Sequence, residues 1–144
     1  MSATADSSLI VALYLNEADS ARADATCASV VPPIRLTDWH RVEIANAFQR
    51  AVKNGRITAE QATLLWQDFT EDVATGRFEI AQVDHATVLA RPLTLTQKHT
   101  ATTGTRSLDL IHIASALEIG ATVFLSFDTR QRDTATAEGF HVLP

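Results

Sequence analysis

One stretch constrains the fold more than any other: Arg106-Ser-Leu-Asp109-Leu-Ile-His112-Ile-Ala-Ser-Ala-Leu117. Leu108, Leu110, Ile111, Ile113, Ala114 and Leu117 make a helix that is apolar around most of its circumference, so it must be buried. Ser107 is the expected N-cap, and Gly120 the expected stop, where a positive φ ends the helix. Val123-Phe-Leu125 then reads as a short strand buried on both faces, delivering Asp128 just past its carboxyl end. Asp109 in the first helical turn and Asp128 beyond the strand therefore sit at the edge where open α/β sheets bind ligands.

The remaining chain repeats this alternation. Asp6-Ser-Ser opens a helix over Leu9 to Glu17, and an Ala-rich helix from Asp19 to Val30 is broken by Pro32-Pro33. Ile34 to Leu36 is a strand, and Thr37-Asp38 starts a helix that runs through Lys53 and closes at Asn54-Gly55. Thr58-Ala-Glu-Gln61 is a capping box for a helix to about Ala74, ended by Gly76. Phe78 to Val83 alternates as a strand, Asp84 caps a helix over His85 to Thr100, and Thr100 to Thr105 is a polar loop. Thr129 to Glu138 is a helix stopped by Gly139, and Phe140 to Leu143 a last strand. Only the first strand, before Asp6, is weakly encoded. The expected architecture is α/β: a three-layer sandwich, with a mostly parallel central sheet of four to five strands flanked by helices. We see no repeat or linker, and expect one domain over 1–144.

A formal charge of −5 argues against holding nucleic acid through a broad basic surface. It leaves open a site where acids gather, because a bound divalent cation reverses the local sign. The lone Cys27 makes no internal disulfide, and the run Leu9 to Leu15 is too short to span a bilayer. A cytoplasmic protein that crosses no membrane is the expectation.

Four acids are the candidate chemistry: Asp6, Glu43, Asp109 and Asp128. Glu43 lies beside Ala47 on the border of an apolar arc formed by Ile44, Ala47, Phe48, Ala51 and Val52, so it looks along the edge of the core. Taken singly, each acid has a structural explanation as a cap, a dipole partner or a solvated flank. Together they differ, because Asp6, Asp109 and Asp128 each fall at a strand end or helix start, and parallel strands gather such ends on one rim. Four carboxylates there repel one another, and a hard divalent cation supplies the missing charge through oxygen ligands.

Asp6-Ser-Ser-Leu before a helix, Glu43 early in a helix, Ser107-Leu-Asp109-Leu-Ile-His112-Ile-Ala-Ser-Ala-Leu-Glu-Ile-Gly120-Ala, and Phe124-Leu-Ser126-Phe-Asp128 resemble the PIN-domain nucleases, particularly VapC-type toxins of prokaryotic toxin–antitoxin pairs. The resemblance covers essentially the whole chain. It departs at the first block, where the family usually has an apolar strand and often Thr after the acid, whereas this chain has Ala-Thr-Ala before Asp6 and Ser7 after it. It implies that Asp6, Glu43, Asp109 and Asp128 are catalytic and bind Mg²⁺ or Mn²⁺, and that a metal-activated water hydrolyses RNA to a 5′-phosphate and a 3′-hydroxyl. It further implies that Ser126 orients the last acid or the substrate, and that a cognate antitoxin occludes the acidic rim. A homodimer is expected from the apolar helices at 8–17 and 107–118.

Arg106, Arg130 and Arg132 flank the acidic blocks and suit either RNA phosphates or ordinary surface pairing. His112, with no second His or Cys nearby, reads as a packed, hydrogen-bonded residue; Asp133 reads as a solvent-facing charge, and Trp39 and Trp66 as core or interface. Neither GxGxxG nor GxxxxGK[ST] occurs, which argues against a nucleotide-binding enzyme. The stronger rival is a non-catalytic PIN-fold module that acts only by binding a partner.

Overall fold

The computed structural model covers residues 1–144. Five short strands, β1 (Ala3–Ala5), β2 (Ile34–Leu36), β3 (Phe78–Ile80), β4 (Val123–Leu125) and β5 (His141–Leu143), form one sheet in the order β3-β2-β1-β4-β5. Every pairing is parallel. The chain steps outward from β1 to β3, then crosses back to place β4 on the other flank of β1. The switch point of the sheet is therefore the β1/β4 boundary, where the two outgoing loops part and leave a crevice.

The weakly encoded strand is present and central. Ala has little β preference, yet Ala3, Thr4 and Ala5 are all buried, paired with β4 at Ala3↔Val123, Thr4↔Phe124 and Ala5↔Leu125. Small side chains suit a strand covered on both faces, because they let both helical layers approach closely.

Alternation along the strands divides the core in two. Ala3, Ala5, Ile34, Leu36, Val123 and Leu125 face α1 (Ser7–Val11), α2 (Ser20–Ala28), α3 (Asp38–Lys53) and α4 (Ala59–Ala74), meeting Leu9, Ile44, Phe48 and Phe69. Phe124 faces the other way, toward α5 (His85–Leu95), α7 (Ser107–Glu118) and α8 (Thr129–Ala137), meeting Val88, Ile113 and Ala135. The result is three layers. As expected, α7 is buried nearly all round: Leu110, Ile113, Ala114 and Ala116 are each at most 2% exposed.

Three local expectations are corrected. The helix expected over Leu9 to Glu17 is only α1, which ends at Val11. Beyond it Tyr14 turns into the core, edge-on to Phe48 and Phe69 and donating its hydroxyl to Asp72 at 2.5 Å, which draws the chain off the helix axis. The polar loop expected over Thr100 to Thr105 is mostly helical: α5 runs into a π-helical turn, Thr96–Thr100, and α6 (Ala101–Thr103), and only Gly104 at φ +67° reverses the chain. Finally, Arg106 and not Ser107 is the N-cap of α7, because the Asp109 carboxylate reaches back to accept the Arg106 backbone N–H at 3.3 Å.

Candidate functional site

The acids enter from both helical layers. Asp6 follows β1 directly; its backbone N–H donates to Leu125 O of β4 at 2.8 Å, and its carboxylate caps α1 by accepting Ser8 N–H at 3.2 Å. Asp128, three residues past β4, caps α8 by accepting Gln131 N–H at 3.0 Å. Glu43 comes from α3 and Asp109 from α7, one from each layer. Two of these side chains are thus fixed by cap geometry at the switch point, and two by helices that lean over it.

Local interactions relate these acids to one another in part. The Arg106 guanidinium reaches Asp109 Oδ2 at 3.0 Å and Asp128 Oδ2 at 4.0 Å, so these two acids lie within the span of one side chain. Asp6 and Glu43 lie close enough for each to feel the same surroundings: burial pushes the Asp6 carboxyl above its ordinary range, the His112 charge and the Ser8 hydroxyl pull it back, and the nearby Asp109 and Glu43 push it up again. Glu43 shifts the opposite way, since the cost of its burial is outweighed by the hydrogen bond and charge of His112 and the Ser7 hydroxyl. Asp128 also lies below the usual range, because partial burial is overcome by Gln131 N–H, Arg130 and Arg106.

A pair of histidines joins the layers beneath the acids. His40 of α3 accepts Thr37 N–H on Nδ1 at 3.0 Å and donates from Nε2 to Ala5 O at 2.8 Å; complete burial pulls it down to about 3, so it is neutral. Its ring meets that of His112 from α7 at 4.3 Å between centroids. His112, 2% exposed, turns Nε2 to the Glu43 carboxylate, which also accepts the Ser7 hydroxyl at 2.7 Å. The sequence identifies His112 as packed and hydrogen-bonded, and it is; its partnership with Glu43 was not legible. Residues 69 apart in the chain meet only because α3 and α7 cover opposite faces of one short sheet.

No three carboxylate, imidazole or thiolate side chains converge tightly enough to hold one ion. Each acid leans instead on its own partner: Asp6 on Ser8, Glu43 on His112, Asp109 on Arg106, Asp128 on Gln131 and Arg130. The donor chemistry nonetheless fits a hard divalent cation. The set is all oxygen, and Asp6, raised above its ordinary range chiefly by burial, sits near two further carboxylates.

Comparison with known proteins fits this architecture. The PIN domain family model matches residues 4–137. The chain belongs to the PIN-domain family. Two solved structures share its PIN architecture. A toxin-antitoxin complex from Klebsiella pneumoniae aligns at 17% identity over 99% of this chain and 97% of that one, with a TM-score of 0.65. FitAcB from Neisseria gonorrhoeae aligns at 15% identity over 98% and 96%, with a TM-score of 0.67. At such identities the likeness is one of fold. No curated protein sequence matches this PIN chain.

The other expected residues divide. Ser126 is fully buried; it donates to Gln131 Oε1 at 2.8 Å and accepts Asp128 N–H at 3.1 Å. Those two bonds tie Ser126 to the turn that carries Asp128. Arg106 is turned to Asp109 and Asp128, Arg130 to Asp128, and Arg132 donates to the carbonyls of Ser126 and Pro144. Asp133 is exposed. Trp66 lies against Phe69 at the rim of the core, and Trp39 against His85. The apolar surface expected on the helices at 8–17 and 107–118 is mostly buried within the chain; the exposed leucines are Leu64 of α4, Leu89 and Leu93 of α5, and Leu108 at the start of α7. No helix is long and apolar enough to cross a membrane.

Proposed function

We propose that this PIN-domain chain is a VapC-type toxin, a ribonuclease dependent on Mg²⁺ or Mn²⁺ and held in check by a cognate antitoxin. The proposal is supported by the PIN family match, together with Asp109 and Asp128 lying within reach of one arginine and Asp6 lying near Asp109 and Glu43. These four would hold the cation, directly or through water. Bound there, it would acidify a water and neutralise charge on the phosphate oxygens, so no side-chain nucleophile is required.

The chain's own residues prepare for this. The His112 imidazole and the Ser7 hydroxyl hold Glu43 at the rim, where its ionised carboxylate can accept a proton from an attacking water. Ser126 and the Gln131 N–H fix Asp128 on a rigid turn. Arg106 shields Asp109 and Asp128 from each other in the absence of cation and, once displaced by it, is placed to meet a phosphate.

The toxin assignment is supported by a relative of the same fold, solved as a toxin-antitoxin complex. A homodimer through Leu89 and Leu93, one turn apart on α5, is part of the same proposal. One observation favours the non-catalytic alternative: the acids are already individually partnered, as they would be in a module that only binds.

Incubation of the purified protein with total RNA, in Mg²⁺ or Mn²⁺ against a chelator and beside Asp109→Asn, separates the two. Cation-dependent cleavage that the substitution abolishes is the expected result. Equal cleavage by Asp109→Asn, or none by the wild type in either metal, removes the ribonuclease.

A further inference from the structure

The chain has twelve Lys and Arg side chains, and nearly all are engaged within it, paired with acids or, for Arg132, with carbonyl oxygens. Arg50 and Lys53, both near the end of α3, make no such pair. Arg50 is exposed and lies on the face of α3 that carries Glu43, seven residues and two helical turns away, about 10 Å along the axis. Asn46 and Ala47 lie between them on that face.

This face is one wall of an open groove of about 390 Å³. The groove starts at the site, where Ser7, Ser8, Glu43 and Arg106 line it, and runs along α3 past Asn46 to Arg50. The acid at its far end, Glu17, is already neutralised by Arg56 at 3.4 Å. A groove with the Glu43 carboxylate at one end and an uncommitted guanidinium at the other matches a polyanion whose scissile phosphate sits by the acids and whose flanking phosphate needs a partner.

We infer that Arg50 is the clamp for a flanking phosphate, and that a single RNA strand leaves the acidic site along the α3 groove. The inference rests on the ribonuclease reading and adds the path of the substrate to it. Asn46, whose amide can donate or accept, lines the path between clamp and acids and offers a contact to sugar or base. Because Arg50 touches a part of the strand remote from the cut bond, it contributes equally to ground state and transition state. Its loss therefore acts on KM and leaves kcat alone.

The test is steady-state cleavage of a fluorescein-labelled single-stranded RNA of mixed sequence in Mn²⁺, over a range of salt. The wild type is compared with Arg50→Ala, Arg50→Lys and Arg41→Ala. Arg41 is on the same helix, exposed and paired with Asp38 at 3.1 Å, and it faces away from the groove, so its variant removes one charge without touching the path. Arg50→Ala should raise KM about five- to tenfold, as for a lost charge-assisted phosphate contact, with kcat within about twofold. It should also flatten the fall of log(kcat/KM) with log salt by about 0.7, one phosphate's worth for a single strand. Arg50→Lys should recover most of both effects, and Arg41→Ala should match the wild type. Arg50→Ala indistinguishable from the wild type, or Arg41→Ala equally impaired, overturns the clamp while the ribonuclease stands. A wild type that cleaves no RNA overturns the ribonuclease, and the clamp falls with it.

Discussion

Asp6→Asn should stabilise the protein in the presence of a chelator, although it deletes a residue proposed to be catalytic. Asp6 is 7% exposed, and its carboxylate shares its surroundings with Asp109 and Glu43. Asn caps a helix about as well as Asp, so the bond from Ser8 N–H survives. An uncompensated buried ion costs several kcal/mol, and hydrogen bonds to a charged group return about 1.5–3 kcal/mol, which leaves a net gain for the neutral side chain of about 1–2 kcal/mol. For a chain of this length that is a rise in Tm of roughly 3–8 °C.

The sign with pH follows from the upward shift. A carboxyl raised in the folded state contributes stability below its ordinary value of 3.8 and loses that contribution as pH rises through the folded value. The advantage of Asp6→Asn is therefore greatest at neutral pH and shrinks on acidification. Urea denaturation of both proteins in EDTA at pH 7.5 and pH 4.5 measures it. Added Mn²⁺ should reverse the order, because only the wild type gains from binding, by about 2.7 kcal/mol at a hundredfold excess over Kd. A variant less stable than the wild type in EDTA at neutral pH would refute the reasoning, since it would mean that the Asp6 carboxylate is well compensated without a cation.

Other outcomes follow from the same geometry. His112→Ala should cost about 2–4 kcal/mol in urea denaturation, because it leaves a buried gap beside the His40 ring and removes the partner of Glu43. Arg106→Gln should leave Tm nearly unchanged, since that side chain is 65% exposed and such pairs contribute about 0–1 kcal/mol. The same variant should nevertheless bind Mn²⁺ several-fold more tightly in calorimetry, because Asp109 and Asp128 lose their resident counter-charge. Glu43 lies below its ordinary value of 4.5, so its contribution is complete above that value and lost as pH falls through the lower folded one. In EDTA the stability advantage of the wild type over Glu43→Gln should accordingly be present at pH 6 and vanish toward pH 3; a constant gap would exclude the ionised Glu43 carboxylate as its source.

Local chemistry determined most of the elements. The α3 and α4 helices, the buried α7, and the strands β2 and β4 follow from periodicity, caps and glycine stops, and all four acids were legible because each occupies a strand end or a helix flank. Elements that hold together through distant parts of the chain were not. Ala3 to Ala5 is a strand because β2 and β4 pair with it on either side, and α1 is short because Tyr14 is drawn to Phe48, Phe69 and Asp72. The same division runs through the site. Which side chains carry negative charge is written in the sequence, but which cation or imidazole each one meets depends on how the two helical layers close over the β1/β4 crevice. Periodicity and caps report only on neighbours within a turn or two, whereas the Glu43–His112 and Arg106–Asp128 encounters exist only once the sheet has set the spacing between the layers.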